Sequence, residues 1–452
     1  MIGTTKQPSV EAGREKRLNF GKHLRAAAPR SDHAKWDIRG PMDPLPLVGE
    51  WSAGRIVGLV VIRHGRMADS PLSFFRGSAV VMARDLAKTS VSGLRVQACN
   101  DAHLLNFGLF ASPERNLLFD INDFDETLDG PWEWDLKRMA VSFVLTGREH
   151  GICGADCKDT ISAAARAYRK SMLRYCGMSP LDIWYSRVNE KAVRKVFASD
   201  IRKAVDDRLD KAHANGPTQA QSWLVTNNGD RPKLADDPPL TRHAGHLLSR
   251  HKLVELLGHY RESLPEDHRQ VFDRYELVDH VFKAVGLESI GTRCFVVYLS
   301  GPEGAPLFLQ IKEATPSIID RIGGCRWKGN QGRRTVLGQR LIQGTTDIFL
   351  GWSHDEGRDY YLRQFRDMKG TLAPEATSSE VLLDYAKLCG RTLARAHARS
   401  GDACSIAGYL GADDAFERAL SKFAGAYASQ VERDFDAFRK AAIAGKFPTS
   451  KG

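Results

Sequence analysis

The chain has 452 residues, a formal net charge of +10 and an ordinary content of hydrophobic (42%) and charged (27%) residues. This length suggests two to three lobes with a sizeable core, and the composition is that of a soluble globular protein. No stretch approaches the roughly 18 consecutive apolar residues that a membrane helix needs, and the N-terminus lacks the apolar core of a secretory signal. We therefore expect a cytoplasmic protein with no membrane partner.

The cysteine and charge patterns argue against two further classes of protein. The eight cysteines are scattered along the chain, and in a reducing compartment we expect free thiols and no disulfide framework. The Lys and Arg residues are mixed with acids and carry no nucleic-acid-binding signature, so we do not expect nucleic acid as the main partner. Basic side chains that hold nucleotide phosphates would explain part of the positive charge.

The first part of the chain predicts a basic N-terminal arm over residues 1–40 and a mainly helical lobe over residues 41–280. Apolar spacing and turn residues define the elements of this lobe. They are a helix over 78–88, a strand over 94–98, a loop over 100–108, a strand over 116–121, helices over 135–148 and 158–175, and a largely helical span over 187–280 with a polar interruption at 215–240.

The sequence changes character near residue 281, and we predict a small antiparallel sheet lobe over 281–365. Two apolar strands flank a Gly-Pro-Glu-Gly turn, which is typical of a β-hairpin. Alternate side chains of a strand face opposite sides, so Leu307, Leu309 and Ile311 share one face and Lys312 lies on the other. The remaining predicted elements are a helix over 335–344, a strand over 360–365, and C-terminal helices over 366–452 that pack on the large lobe.

The densest polar cluster in an apolar setting lies in the first half of the chain. Asp101, His103 and Asn106 stand in a loop between two strands, and Asp123 and Asp125 follow the second strand. This arrangement suits phosphoryl transfer, in which one carboxylate accepts the proton of an attacking hydroxyl. An Asn oxygen and further carboxylates would hold Mg²⁺, a hard ion that prefers oxygen ligands. The metal would offset the charge that develops on the phosphate during transfer.

These residues resemble a known catalytic loop. The segment Asp-Ala-His-Leu-Leu-Asn that starts at Asp101 resembles the HGDxHxxN loop of aminoglycoside-phosphotransferase-like kinases. The segment Asp-Phe-Asp that starts at Asp123 resembles their metal-binding segment. The resemblance implies that Asp101 is the catalytic base and that His103 shapes the loop. It also implies that Asn106 and Asp123 hold the metal, with Asp125 as a further candidate ligand.

Two details extend the comparison with these kinases. The segment 134–136, Trp-Asp-Leu, resembles an Asp-Leu pair that follows the loop in that superfamily. Asn100 stands where the kinase pattern has Gly. Because Asn tolerates a positive φ better than most residues, we expect the turn to be retained.

Longer segments resemble a single bacterial family, DUF2252, from about residue 74 to residue 402. This resemblance is specific as to family and implies no particular substrate. The segments are SFFRGSAVVMARDL, DAHLLNFG, NDFDET, GPWEWDLKR, FLQIKEA, RQFRDMKG and LARAHARSGD.

A second group of candidate residues belongs to the small lobe. Gly286, Ser289 and Gly291 lie in a glycine-containing turn before the first hairpin strand, and Lys312 ends the second strand. Kinases hold ATP phosphates with a glycine-rich loop and a strand-borne Lys. We therefore predict an ATP site formed by these four residues.

The predicted lysine lacks one of its usual partners. Kinases often pair this Lys with a Glu on the next helix, whereas the helix predicted here carries Gln339 and Gln343 and no carboxylate. We expect Lys312 to pair with Glu313 or with one of the cluster acids instead.

The order of the motifs is unusual for a kinase. In ordinary kinases the nucleotide-holding Lys precedes the catalytic loop, whereas Lys312 follows Asp101 in this chain. We therefore predict an α/β (α+β) fold with two kinase-like lobes in circularly permuted order, which termini close together at the surface make feasible. The reaction would be Mg²⁺-dependent transfer from ATP to a hydroxyl of an unknown small molecule or protein, with the transferred group, phosphoryl or nucleotidyl, left open.

Three alternatives remain open. A nucleotide-binding regulatory protein without turnover fits the missing helix carboxylate. A metal-dependent phosphohydrolase would use His103, Asp120 and the other loop acids, although the His pairs expected in such sites do not cluster here. The third alternative is a histidine phosphatase, because Arg63-His64-Gly65 follows an apolar run and resembles the Arg-His-Gly motif at the end of the first strand of those enzymes. The same residues also read as a strand end with a surface His.

Overall fold

Helices and short antiparallel strands alternate along the chain. The computed structural model describes residues 12–36, 43–152, 154–198, 201–226, 232–284, 286–287, 289–365, 368–372 and 378–450. The helices are α1 Arg14–Ala27, α2 Leu45–Ser52, α3 Val57–Met67, α4 Pro71–Gly77, α5 Ala79–Leu86, α6 Trp132–Glu149, α7 Gly154–Cys176, α8 Pro180–Tyr185, α9 Glu190–Val196, α10 Arg202–Ala214, α11 Pro217–Leu224, α12 Arg250–Ser263, α13 Glu266–Phe272, α14 Ile318–Arg321, α15 Gln331–Ile342, α16 Ser379–Ser400, α17 Ala403–Leu410 and α18 Ala415–Ile443. The strands are β1 Arg95–Ala98, β2 Phe107–Ala111, β3 Leu117–Ile121, β4 Leu128–Pro131, β5 Val225–Thr226, β6 Lys233–Leu234, β7 Thr241–Arg242, β8 Glu276–Lys283, β9 Cys294–Ser300, β10 Pro306–Ala314, β11 Gly351–Asp355 and β12 Arg358–Gln364. In these described ranges, no helix has both the length and the apolar character to cross a membrane.

The largest sheet carries the predicted hairpin. Among the described residues it has six strands in the order β11-β12-β10-β9-β8-β7, and β10 pairs antiparallel with both β9 and β12. Leu307, Leu309 and Ile311 enter the hydrophobic core that lies under α12. Gln310 and Lys312 point to the opposite face, as strand alternation requires, and line a cavity. The hairpin and its two faces are therefore confirmed, and so is the mixed helix and sheet class.

A helical core supports the other part of the molecule. α16 packs closely against α7, and α18 packs against both α6 and α7. The stripe Leu382, Tyr385, Cys389 and Leu393 of α16 is buried, because apolar residues three and four positions apart share one helix face. α6 is buried along nearly its whole length, and its charged residues Asp135 and Arg138 bond to groups of the polar loop.

Two small sheets hold the predicted polar loop. β1 pairs with β4, and β2 forms a hairpin with β3. Because β2 and β3 are antiparallel, the chain that leaves β3 returns beside the loop that enters β2. The backbone N–H of Asn122 accordingly donates to the carbonyl of Asn106 at 2.9 Å. This hairpin brings the acids that follow β3 next to the loop residues.

The apolar run before Arg63 forms helix α3 and no strand. Its buried residues include Leu59, Ile62 and Met67, which recur at helical spacing. His64 is buried at the end of this helix, with Nε2 3.3 Å from Ser52 Oγ. The interpretation of this segment as a strand end with a surface His is therefore wrong, and the histidine-phosphatase alternative loses its structural basis.

The predicted N-terminal arm packs on the C-terminal helices over the part that the structure describes. α1 lies along α17, with Arg17 3.0 Å from Asp402 and Arg30 2.9 Å from Asp413. Residues 1–11 and 37–40 of the predicted arm lie outside the described residues.

Two of the eight cysteines form a disulfide. Cys176, at the end of α7, is bonded to Cys404 in α17, and their Cα atoms are 4.5 Å apart. The expectation that all thiols are free is wrong for this pair. The two residues are 228 positions apart in the sequence, and only the packing of α17 against α7 brings them together.

Two buried histidines make stability depend on pH. His33 is fully buried with Nε2 2.7 Å from Tyr409 Oη, and burial followed by nearby Lys137 lowers its pKa to about 3. Burial and the neighbouring Arg63 lower the pKa of His64 to about 4. Because the unfolded chain protonates first, the stability present above about pH 6.5 is lost as the pH falls toward these values.

We expect the two histidines together to lower the free energy of unfolding, measured with urea, by about 2–4 kcal/mol between pH 7 and pH 5. Glu126, whose pKa burial raises to about 7, offsets part of this loss over the same range. His33→Gln should flatten this slope, because it removes one of the two titrating groups. His251→Gln, at an exposed position, should keep the wild-type slope. An equal slope in wild type and His33→Gln would contradict the prediction.

Candidate functional site

A cavity of about 670 Å³ lies between the central sheet and the loop that follows β1. The predicted catalytic and metal residues all line it, namely Asp101, His103, Asn106, Asp123 and Asp125. The structure therefore brings together polar residues that the sequence grouped by spacing alone.

Three of the four predicted nucleotide-binding residues line the same cavity, namely Gly286, Ser289 and Lys312. Gly291 is not among the described lining residues. A Cβ added at Gly291 would lie 3.0 Å from the Cβ of Arg55, which does line the cavity. Gly291 also has a φ of 91°, a conformation that suits Gly. The glycine turn therefore lies at the cavity wall, with Gly291 behind it.

Asp135 fixes the start of the polar loop. Its carboxylate accepts the backbone N–H groups of Cys99 and Asn100, each at 2.7 Å. It also lies 3.1 Å from Nε2 of His397, whose Nδ1 is 2.9 Å from Tyr168 Oη. Asp135 and His397 are both fully buried, so this network is structural and determines the path of the loop.

Asn100, which stands where the kinase pattern has Gly, adopts the positive φ that we expected. Its φ is 63°, in the left-handed region that Asn tolerates better than most residues. Its side-chain amide donates to the carbonyl of Glu126 at 2.9 Å. The prediction that the turn is retained is therefore confirmed.

Arg138 holds the carboxylate of Asp101. Its Nε lies 2.8 Å from Oδ1 of Asp101, and its Nη2 donates to the carbonyl of Phe75 at 3.0 Å. The guanidinium also lies 3.8 Å from the centre of the Phe75 ring. His103 Nε2 is 3.9 Å from Oδ2 of Asp101, beyond hydrogen-bonding distance. Arg138 thus orients Asp101 through Oδ1 and leaves Oδ2 for another partner.

The sequence interpretation missed Arg138. A signal was present, because Arg138 lies three residues after Asp135 in a helix that is buried along nearly its whole length. A charged residue in such a helix must be paired, since burial of an isolated charge is costly.

Asn106 lines the cavity, and its amide nitrogen is bonded to the loop. Its Nδ2 donates to the carbonyls of Asp101 and Asp123 at 3.0 and 3.2 Å. With the nitrogen bonded in this way, the oxygen is the atom of the amide that can accept a ligand.

Lys312 joins the central sheet to the acids that follow β3. Its Nζ lies 2.6 Å from Oδ2 of Asp125 and 3.2 Å from Oδ2 of Asp123. Tyr361, on β12, donates its hydroxyl to Oδ1 of Asp125 at 2.6 Å. The expectation that Lys312 pairs with one of the cluster acids is therefore confirmed.

The opposite charges of this group influence one another's pKa values. Burial alone would lower the pKa of Lys312, but the carboxylates of Asp123 and Asp125 outweigh it and hold the pKa well above its ordinary value. Burial and the adjacent Asp123 raise the pKa of Asp125, while Lys312 opposes that rise. The lysine is therefore charged at neutral pH and offsets the repulsion between the two acids.

The oxygen donors of the cavity fit Mg²⁺. Asp123 and Asn106 supply a carboxylate and an amide oxygen, both hard ligands. In the part of the chain that the structure describes, no group of three or more His, Cys, Asp or Glu side chains is arranged to hold a metal by itself.

Asp120 does not belong to the metal group. Its Oδ2 accepts Nη2 of Arg395 at 2.7 Å and the backbone N–H of Gly344 at 2.7 Å. Both side chains of this ion pair are buried. The phosphohydrolase alternative therefore loses one of the carboxylates that it would use.

Helix α15 supplies no charge to Lys312. Gln339 and Gln343 line the cavity, and Nε2 of Gln339 donates to Oε1 of Gln343 at 2.8 Å. Glu313 is 3.3 Å from Arg293 and 3.6 Å from Arg358, so its carboxylate is held by other cations.

Comparisons with known proteins give a family and nothing further. Residues 55–441 match the model of DUF2252, described as an uncharacterized protein conserved in bacteria. Neither a curated protein nor a solved structure matches the chain. Because the match covers most of the sequence, the chain belongs to the DUF2252 family.

Proposed function

We propose that this protein is a Mg²⁺-dependent phosphotransferase that uses ATP, with kinase-like lobes in circularly permuted order. The observation that carries the proposal is the contact of Lys312 with Asp123 and Asp125. A strand lysine and a metal-binding acid pair that are far apart in the sequence meet in one cavity. In protein kinases a Lys on the third strand of the small lobe likewise lies beside the Mg²⁺-binding Asp.

The order of the strands supports the permutation. β8 and β9 flank the glycine turn, and β10 carries Lys312 between β9 and β12. A glycine-rich hairpin followed by a strand-borne Lys is the kinase arrangement. The loop that contains Asp101 lies at the other side of the cavity and comes earlier in the chain. A permuted order of two lobes accounts for both facts.

Each residue has a distinct task in this proposal. Oδ2 of Asp101 accepts the proton of the acceptor hydroxyl, while Arg138 keeps the carboxylate oriented. Lys312 and backbone N–H groups of the glycine turn hold the phosphates. Asn106 and Asp123 would hold Mg²⁺, which offsets phosphate charge when bound. The acceptor is a hydroxyl on a small molecule or a protein.

Calorimetry with Mg²⁺-ATP tests this function. Wild type should bind, whereas Lys312→Ala and Asp123→Ala should each weaken binding at least about tenfold, because each loses a charged contact to the phosphates or the metal. Lys252→Ala, on the exposed side of α12, should bind as wild type does. Absence of binding in wild type, or equal binding in all variants, would rule out the proposal.

A nucleotide-binding regulatory protein is the second candidate. It is favoured by one observation, the neutral Gln339 on α15 in place of a carboxylate. Binding of Mg²⁺-ATP without release of ADP, across a screen of hydroxyl acceptors, would favour this candidate over the transferase.

A further inference from the structure

The partner of Lys312 within the sheet lobe is unusual. In kinases, a Glu on the helix of the small lobe holds the phosphate-binding Lys. Here, α15 offers Gln339, whose Oε1 is buried and has no hydrogen-bond partner among the described residues. Lys312 is itself almost completely buried, and a buried cation needs a compensating charge. That charge must come from outside α15.

Asp125 supplies this charge from a fixed position. It accepts Nζ of Lys312 on one oxygen and the hydroxyl of Tyr361 on the other, both at 2.6 Å. Its backbone carbonyl accepts Nη2 of Arg334 on α15 at 2.6 Å. The carboxylate and the backbone of Asp125 are therefore both held in place.

The sheet register determines which side chains hold Asp125. Lys312 on β10 and Tyr361 on β12 are directly opposite each other. Cross-strand neighbours lie close enough for their side chains to contact one common group. The two side chains, on adjacent strands, therefore both hydrogen-bond to the carboxylate of Asp125.

Asp123 is held differently. Its Oδ2 lies farther from Lys312, at 3.2 Å, and its Oδ1 accepts the backbone N–H of Asp125 at 3.1 Å. The carbonyl of Asp123 also accepts the amide of Asn106, so it is Asp123 that adjoins the second predicted metal ligand. Of the two acids, Asp123 is the one that can exchange its weaker lysine contact for a metal.

We propose that Asp125, held by Tyr361, is a positioning residue that takes the place of the helix carboxylate for Lys312, and that the metal is left to Asp123. This inference rests on the proposed function for its role in nucleotide binding. It assigns to Asp125 a task different from the metal ligation that its sequence context predicts.

The first test needs no nucleotide. The apo protein is treated with limiting acetic anhydride near pH 8, and acetylation of Lys312 is followed by peptide mass spectrometry with Lys252 as the internal reference. Asp125→Asn should raise the rate at Lys312 by about tenfold, since the ammonium group loses its shortest charged hydrogen bond, at 2.6 Å, and the side chain is no longer held in place.

Conservative variants control for general damage to the fold. Tyr361→Phe should raise the rate by a smaller factor, because Asp125 stays but loses one hydrogen bond. Tyr360→Phe, which packs in the core on the opposite face of the same strand, should match wild type. Equal rates at Lys312 in wild type, Asp125→Asn and Tyr361→Phe would overturn the inference.

The second test separates the two acids by ATP affinity with and without Mg²⁺. In EDTA, Asp125→Asn should bind ATP about tenfold more weakly than wild type, whereas Asp123→Asn should bind ATP as wild type does. With Mg²⁺ present, Asp123→Asn should lack the increase in ATP affinity that Mg²⁺ gives the wild type. If Asp125→Asn loses only that gain, Asp125 is a metal ligand and the inference fails while the proposed function stands. If wild type binds no nucleotide but acetylation changes as expected, the proposed function fails and the positioning of Lys312 stands.

Discussion

Asp101→Asn is expected to lower the rate of phosphoryl transfer by about 100- to 10,000-fold, the usual contribution of a general base. The carboxamide oxygen can still accept the hydrogen bond from Arg138, so the loop should keep its path. It cannot accept the proton of the acceptor hydroxyl through Oδ2. Affinity for Mg²⁺-ATP should stay within about twofold of wild type. The carboxylate of Asp101 pairs with Arg138, and the contact with Asn106 uses the backbone carbonyl of Asp101, which the substitution keeps.

The measurement is steady-state release of ADP from Mg²⁺-ATP, with calorimetry alongside for binding. Asp206→Asn is the matched control, because Asp206 forms a half-exposed ion pair with Arg194 at 2.7 Å outside the cavity. Turnover at the wild-type rate in Asp101→Asn would end the assignment of Asp101 as the base. A loss of both turnover and nucleotide binding would instead indicate that Asp101 only supports the structure of the loop.

Asp120→Asn should lower the free energy of unfolding by about 3–5 kcal/mol, the usual result of removing one partner from a buried ion pair. Arg395 is completely buried and lies 2.7 Å from Oδ2 of Asp120. Without the carboxylate charge, the Arg395 cation would remain in the core with only neutral acceptors, namely the new carboxamide oxygen and the carbonyl of Ile342 at 2.9 Å. Urea unfolding followed by circular dichroism measures the change.

A second substitution distinguishes structure from chemistry at this site. Arg395→Met in the Asp120→Asn background should restore part of the lost stability, because it removes the orphaned charge. The surface variant Asp206→Asn should cost no more than about 1 kcal/mol. An Asp120→Asn protein with wild-type stability but altered metal binding would contradict the structural role and revive the phosphohydrolase alternative.

The roles of the acids illustrate how far the sequence could be interpreted. Asp120, Asp123 and Asp125 lie within six residues of one another, and their spacing could not tell them apart. In the structure Asp120 meets Arg395, Asp123 lies beside Asn106, and Asp125 meets Tyr361. The task of a carboxylate depends on the charge and hydrogen bonds around it, and these come from distant elements.

The sequence interpretation was correct for features that depend on residues close together in the chain. The alternation of the hairpin strand predicted which side Lys312 faces, because successive strand side chains point to opposite faces. The identity of Asn100 predicted a turn with positive φ, and its φ is 63°. The apolar run before His64 was interpreted as the end of a strand but forms helix α3. A short apolar segment fits a buried helix as well as a strand.

By itself, the sequence determined the family, the polar loop with Asp101 and Asn106, and the hairpin that carries Lys312, since each depends on residues close together in the chain. Only the tertiary structure decided that Lys312 meets Asp125 across 187 positions of sequence, that Arg138 holds Asp101, and that Cys176 joins Cys404. Such contacts depend on how whole helices and strands pack. Packing is a collective result of burying apolar faces, and the spacing of residues within one segment does not contain it.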